Sequence, residues 1–401
     1  MLSGILDIAK RQSLAAPRRA SIQAMTTLQH LNTPCALIDI DKMRHNIARM
    51  QQQVESLGAS FRPHVKTSKS LPVVQAQLEA GARGITVSTL KEAEEFFEAG
   101  IQDILYAVCI SPAKLDAVLQ LRRRGCDLKI ITDSEAAARE IVAYGQAKAH
   151  AFEVWIEIDV DGHRSGIAPN DDALIEVASV LHEGAMSIGG VIAHAGSSYD
   201  CATPQALLAV AEQERSGTVA AAERLRAAGY SCPVVSIGST PTALAAQSLS
   251  GVTEVRAGVY VFFDLVMHNV GVCRPDELAL SVLTTVIGHQ KAKGWAIVDA
   301  GWMAMSRDRG SARQQRDFGY GLVCDEFGKP IDGYLMSGAN QEHGIVSLAC
   351  GVDPDIEQRF PVGSRLRLLP NHACATAAQH PQYQAIESDG SIHAWPRFYG
   401  W

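Results

Sequence analysis

Phe61-Arg62-Pro63-His64-Val65-Lys66-Thr67-Ser68-Lys69-Ser70 leads from a short apolar run after Gly58 into a helix-patterned stretch, Leu71 to Ala80. It reads as one strand, one polar loop and one helix, with Lys66 where the strand gives way. A lysine at a strand end near apolar walls can be desolvated toward its neutral form. A neutral amine is a nucleophile and forms a Schiff base with an aldehyde. Lysine is otherwise mostly a solvated residue, so the reading of Lys66 depends on its surroundings.

The same unit recurs along the chain. Upstream, Ala36-Leu37-Ile38-Asp39-Ile40 is a short apolar strand, and Met43, Ile47, Met50 and Val54 repeat at helical spacing. Downstream strands are predicted at 84–88, 104–108, 128–132, 154–158, 190–194, 234–238 and 252–257. Helices are predicted between them, among them one after an N-cap at Asp133 or Ser134 and a long one from Pro204 to Ala228. Strands alternating with helices imply βαβ units and a parallel sheet. Eight or nine units in about 230 residues suit a closed (β/α)8 TIM-type barrel of the α/β class better than an open doubly wound sheet. After Val270 helical periodicity fades and strand-like runs appear at 281–287, 295–298, 344–348 and 365–369. The expected organisation is a barrel over 31–272 and a mostly β domain over 273–401.

Composition narrows the function classes. A formal net charge of -7 provides no basic field for nucleic acid, and no apolar run approaches the roughly 18 residues of a membrane span. Nine singly scattered cysteines without a CxxC pair indicate a reducing compartment rather than a disulfide framework. Residues 1–30 stand apart. They carry Lys10, Arg11, Arg18 and Arg19 against one acid, Asp7, the composition of a mitochondrial or plastid transit peptide. The alternatives are an untargeted disordered tail on a cytoplasmic protein, or a true start at Met25.

A barrel builds its active site at the C-terminal ends of its strands. The polar segments there are Lys66-Thr67-Ser68, Asp161 to Gly166, His194 to Tyr199, Gly238 to Thr242 and Arg256 to Tyr260. Loops after the last two strands often hold phosphate. Gly238-Ser239-Thr240 at a helix start offers free N–H groups and hydroxyls, and Gly258 permits close backbone approach. Alone, GSTPT is only a capped helix start.

The second domain contributes Pro370-Asn371-His372-Ala373-Cys374-Ala375-Thr376. On an extended segment residues two apart share a side. His372 and Cys374 would then offer an imidazole and a thiolate to one ion, a donor set suited to zinc. Two ligands are too few for a structural site but fit a catalytic metal. Glu342, in Asn340-Gln341-Glu342-His343, is a candidate to orient His372. A bare HxC is otherwise weak evidence.

Taken in order, RPHVKTSKS (62–70), DGHRSG (161–166), HAGSSY (194–199), GSTPT (238–242), EVRAGVYVFFD (254–264) and PNHACAT (370–376) resemble the fold-type III pyridoxal-phosphate enzymes of the alanine racemase superfamily, in the D-serine dehydratase and D-threonine aldolase branch. The resemblance spans Thr33 to Trp401. It implies pyridoxal 5'-phosphate, a divalent metal (zinc, with manganese or magnesium as alternatives) and a homodimer. It implies Lys66 as the Schiff-base lysine, Arg164 near the cofactor's phenolate oxygen, His194 against the pyridine ring and Tyr199 near the reacting end. Ser239, Thr240, Gly258 and Tyr260 would hold the phosphate. Arg256 would face the pyridine nitrogen and leave it unprotonated, a weaker electron sink than a carboxylate partner gives. His372 and Cys374 would bind the metal. Aldolases of this branch are expected to carry His-Xaa-Asp instead, so Cys374 leans toward elimination.

The expected activity is a lyase acting on a D-3-hydroxy amino acid. The dehydratase form turns D-3-hydroxyaspartate or D-serine into a 2-oxo acid and ammonia. The aldolase form turns D-threonine into glycine and acetaldehyde. A racemase would need a base on the opposite face and no metal. A non-catalytic cofactor carrier would need no second domain. An unrelated barrel enzyme would leave Lys66 a surface residue.

Overall fold

Residues 27–401 are described by a computed structural model, so the targeting reading of residues 1–30 falls almost wholly outside it. The strands are β1 (Cys35–Asp39), β2 (Ser60–Pro63), β3 (Ile85–Val87), β4 (Asp103–Cys109), β5 (Asp127–Thr132), β6 (Glu153–Ile158), β7 (Ser187–Ala193), β8 (Val234–Ile237) and β9 (Glu254–Ala257), then β10 (Leu280–Gln290), β11 (Trp295–Val298), β12 (Leu322–Cys324), β13 (Pro330–Ala339), β14 (Gly344–Leu348), β15 (Arg365–Leu369), β16 (Gln382–Ile386) and β17 (Ile392–Pro396).

Strands β2 to β9 form one parallel sheet in the order β2-β9-β8-β7-β6-β5-β4-β3. A bridge between His64 and Thr86, with Val65 N–H donating to the Thr86 carbonyl at 2.9 Å, brings the two ends together. The result is a nearly closed eight-stranded TIM-type barrel with helices outside. Those helices form where the sequence caps them. Asp39 accepts from Lys42 N–H at the start of the helix Ile40–Ser56, which buries Ile40, Met43, Ile47, Met50 and Val54. Thr89, Ser134 and Thr203 cap later helices in the same way. Each buried aliphatic side chain contributes about 2 kcal/mol of hydrophobic stabilisation. Among the described residues no helix is long and apolar enough to cross a membrane.

Nine strands make the second sheet, in the order β11-β14-β13-β12-β15-β10-β1-β16-β17. Its neighbours are antiparallel except β1 and β16. β1 therefore does not open the barrel, as the alternation predicts, but pairs with β10 and β16. Its run Cys35-Ala36-Leu37-Ile38 is apolar on both faces, and such a strand suits the middle of either sheet.

The second sheet docks over the barrel mouth through backbone. Leu265 and Val266 N–H donate to the carbonyls of Pro370 and Asn371 at 3.1 and 3.2 Å. Asp264 caps the helix Leu265–Val270, and its other oxygen accepts Ala373 N–H at 2.8 Å. Tyr383 donates its hydroxyl to the Ser68 carbonyl at 2.7 Å. The segment bearing His372 and Cys374 is thereby fixed against the loop bearing Lys66.

Candidate active site

Residues two apart on a barrel strand face the interior together. On β4 to β7 these positions stack in layers. Leu105, Ile131, Trp155 and Ile192 form an apolar girdle. Above it, at the strand ends, Cys109, Glu157 and His194 are polar. The mouth opens into a cavity of about 500 Å³.

The loop after β2 contains two lysines, and the structure separates their roles. Lys69 pairs with the buried Glu92 at 2.9 Å. Lys66 lines the cavity, and no carboxylate lies within ion-pairing distance of it among the described residues. His64 lines the same wall, with Nε2 3.4 Å from Ser88 Oγ and Nδ1 buried without a partner. Burial and the charges of Lys66 and Arg256 hold this imidazole well below its usual range, hence neutral.

His194 lines the same cavity. The Gly238 carbonyl, 2.9 Å from Nδ1, can only accept, so Nδ1 carries the proton. Burial, then the charges of Lys66, Arg164 and Arg256, bring its pKa down to about 4 against the Gly238 bond. Tyr199 lies with its ring centroid 6.1 Å from that of His194, and burial raises its phenol. Arg256 donates to Ser236 Oγ and to the Ala193 carbonyl, each at 2.6 Å. Burial lowers it to about 10 against the attraction of Glu254 and Glu214. Arg164 reaches Glu157 at 3.3 Å and is half-exposed.

Ser239 and Thr242 form a reciprocal capping box. Thr240 is the first residue of that helix, so its N–H has no intrahelical carbonyl. Gly238 has φ +138°, and a Cβ there would sit 2.0 Å from the Arg256 carbonyl oxygen. A Cβ on Gly258 would sit 3.0 Å from the His64 carbonyl oxygen and 3.2 Å from Thr67 Oγ1. Ser239, Thr240 and Gly258 all line the cavity. Tyr260 does not, which corrects its expected place among the phosphate groups. A 3-10 turn over Val259–Val261 rotates its side chain into the core. There its hydroxyl accepts from Gln77 at 2.7 Å and its ring meets Phe61 edge-on.

His372 and Cys374 both reach the cavity, but not from an extended segment. His372 is the N-cap of the short helix Ala373–Ala377, and Cys374 sits in its first turn. Glu342 is exposed in the turn after β13 and does not orient His372. Asp308 does, 2.5 Å from Nδ1, which leaves Nε2 free. Although burial opposes it, the bond to Asp308 and the neighbouring Cys374 raise His372 to about 11. Cys374 is lowered despite its burial, chiefly by His372 and Lys66. An imidazole and a thiol whose pKa is lowered stand side by side, the donor types that bind a divalent ion such as zinc once both are deprotonated.

Sequence reasoning missed Asp308, which comes from a loop without local pattern. It also missed Glu214, on the helix Pro204–Ala227, which accepts the N–H groups of Ala195 at 2.9 Å and Gly238 at 3.0 Å and so braces two site loops. A glutamate among apolar helix positions was the only available signal.

Comparison with known proteins places this architecture. Residues 38–266 match the family model of the alanine racemase N-terminal domain, and 279–386 match a serine dehydratase domain. The chain is 65% identical over 377 residues to D-threo-3-hydroxyaspartate dehydratase of Delftia sp. (strain HT23), covering 94% of this chain and 99% of that one. It is 31% identical to D-serine dehydratase of Dictyostelium discoideum, covering 91% and 96%. The solved structure of the Delftia enzyme matches with a TM-score of 0.93 over 94% of this chain and 100% of that one. Solved variants of that enzyme replace a histidine and a cysteine two residues apart by alanine, the cysteine variant in a metal-free form.

Proposed function

The chain belongs to the family that joins an alanine racemase N-terminal domain to a serine dehydratase domain, and on that premise we propose that it is a lyase eliminating water from D-3-hydroxy amino acids, with D-threo-3-hydroxyaspartate as the preferred class. One observation carries the reading. Lys66 from the barrel and the His372–Cys374 pair from the second domain line one cavity, and Thr67, the residue after Lys66, lies 3.1 Å from Cys374, so an amine and a soft donor pair share one site.

The cavity fits pyridoxal 5'-phosphate. Gly258 leaves a cradle that a Cβ would fill, Thr240 offers an N–H, and His64 Nδ1 is a buried polar atom awaiting a partner. Ser239, Thr240 and Gly258 would hold the phosphate, His194 and Arg256 would flank the ring, and Lys66 would anchor the aldehyde. The cofactor supplies an electron sink at Cα of a bound amino acid. His372 Nε2 and Cys374 Sγ would hold a divalent metal, zinc by donor type, which supplies a Lewis acid for the 3-hydroxyl.

The chain's own groups do the rest. Lys66 Nζ, lining the cavity, would remove the α-proton of the bound amino acid as general base. Asp308 fixes the ring of His372. Neutral His194 donates from Nδ1 to Gly238 and keeps Nε2 unprotonated. Loss of hydroxide from Cβ leaves an enamine, and its hydrolysis yields a 2-oxo acid and ammonia.

Product analysis tests the proposal. Purified protein supplied with pyridoxal phosphate and zinc should release ammonia and a 2-oxo acid from D-threo-3-hydroxyaspartate. Glycine plus an aldehyde from D-threonine, without ammonia, would overturn elimination in favour of carbon–carbon cleavage. A homodimer is part of the same proposal, on the resemblance alone, and sedimentation would check it. Organellar targeting by residues 1–30 is also proposed, on composition, and a fusion of that segment to a fluorescent protein would check it.

A further inference from the structure

The barrel interior is not apolar all round. Opposite the girdle of Leu105, Ile131, Trp155 and Ile192, the strands β2, β8 and β9 bury Arg62, Ser236, Glu254 and Arg256, each at most 5% exposed. These side chains form a continuous column. Arg256 Nη1 donates to Ser236 Oγ at 2.6 Å. The Ser236 hydroxyl donates to Glu254 Oε1 at 2.6 Å. Glu254 Oε2 accepts Arg62 Nε at 2.7 Å. Arg62 then forks onto both oxygens of Asp103 at 2.8 and 3.0 Å, and Lys129 joins Asp103 at 2.6 Å. The column runs from the cavity to the solvent-exposed floor of the barrel.

Its direction is fixed by chemistry. A guanidinium only donates and a carboxylate only accepts. The single proton of Ser236 therefore points at Glu254, and its lone pair receives Arg256. Register explains why a carboxylate is needed. Arg62 and Arg256 are direct partners across β2 and β9, and like charges so placed repel. Glu254, two residues before Arg256 on the same face, lies between them. Even Gly84 serves the column, since a Cβ there would collide with Arg62 Nη1 and Asp103 Oδ2.

Stability alone does not favour this arrangement. Buried ion networks replaced by well-packed apolar groups are often neutral or stabilising, and the other half of this barrel is packed that way. What the column does is end on Arg256. Two of the guanidinium's donors are held by Ser236 and Ala193, while Arg256 itself lines the cavity.

We propose that Ser236 and Glu254 are positioning residues that hold the plane and charge of Arg256 against the ring of bound pyridoxal phosphate, and through it tune the ring's electron demand. This rests on the functional reading above. Neither residue lines the cavity, so neither touches substrate.

The test uses the loaded enzyme with Ser236→Ala, Ser236→Thr and Glu254→Gln. Ser236→Ala should shift the visible absorption of the bound cofactor and lower kcat about 10- to 100-fold, with KM within about threefold of wild type. It should also weaken pyridoxal phosphate binding, read by fluorescence titration of the cofactor-free protein. Ser236→Thr, which keeps the hydroxyl, should recover most of each effect. Glu254→Gln should follow Ser236→Ala. If it fails to fold, the serine pair decides. A folded Ser236→Ala enzyme with wild-type spectrum, affinity and kcat overturns the inference and leaves the proposed function standing. A lower Tm as the sole change also overturns it. A wild-type protein that takes up no pyridoxal phosphate overturns both.

Discussion

Thr67 Oγ1 and Cys374 Sγ lie 3.1 Å apart across 307 positions of chain. The residue after Lys66 thus touches the candidate metal thiolate, so the two halves of the chemistry are mechanically joined. Thr67→Val should remove that hydrogen bond with little change in volume. It should cost about 1 kcal/mol of stability and lower metal affinity about tenfold, as loss of an orienting partner does. Cys374→Ala should abolish stoichiometric zinc, measured by atomic absorption, and elimination with it, while the cofactor's absorption band remains. Chelation of the wild type by EDTA should reproduce that phenotype and added zinc reverse it. Full activity after complete chelation would remove the metal from the mechanism.

The two lysines of the β2 loop make opposite predictions. Lys66→Ala should eliminate the cofactor band and all turnover without lowering the Tm of the cofactor-free protein, since Lys66 has no ion-pair partner among the described residues. Lys69→Met should keep the band, because its side chain is spent on Glu92. It leaves Glu92 buried with only Ser88 N–H and the Thr89 hydroxyl for partners. The expected cost is about 2 kcal/mol, read by chemical denaturation. A band lost in Lys69→Met and kept in Lys66→Ala would reverse the assignment.

The barrel was legible because buried parallel strands are apolar runs and their helices are capped by Asp, Ser or Thr. The second sheet was less so. β13 buries only Tyr334, Leu335 and Met336 at its centre, and β17 is largely exposed, so neither shows the alternation of a half-buried strand. Motif residues are found by local pattern. Lys66, His194, Arg256, His372 and Cys374 all reach the cavity, yet Asp308 stands 64 positions from His372 and no local spacing announces it. Tyr260 misled for the converse reason. It sits in the right stretch, but a single tight turn after Gly258 decides which way its ring points.

That turn is testable. Tyr260→Phe should leave pyridoxal phosphate affinity unchanged and cost about 1 to 2 kcal/mol, because Gln77 loses its buried acceptor. Gly258→Ala should do the opposite. Its Cβ would sit 3.0 to 3.3 Å from atoms of His64 and Thr67, which must give by a few tenths of an ångström. The methyl would still fill the cradle and weaken cofactor binding about tenfold or more. Equal affinities in Gly258→Ala and wild type would move the phosphate elsewhere.

His194 gives the acid limit of stability a specific source. Its ordinary pKa is 6.5 and the folded value is about 4. Between those values the unfolded chain binds a proton that the native protein refuses. Stability therefore rises with pH through this window, is fully present above about 6.5, and is lost as pH falls toward 4. The whole window is worth about 3 kcal/mol from this residue, about 2 kcal/mol of it between pH 7 and pH 5. His64, also buried neutral, adds loss of the same sign, whereas carboxylates held low by ion pairs, such as Asp103, add theirs only as pH falls through and below about 3.8. The share of His194 is isolated by His194→Asn, whose amide can still donate to the Gly238 carbonyl but does not titrate. Denaturation at pH 7 and pH 5 should show a smaller loss in the variant than in wild type, by about 2 kcal/mol. Parallel losses in the two proteins would mean that His194 takes up its proton without cost, and that its ring is not held neutral by the bond to Gly238 and the cations around it.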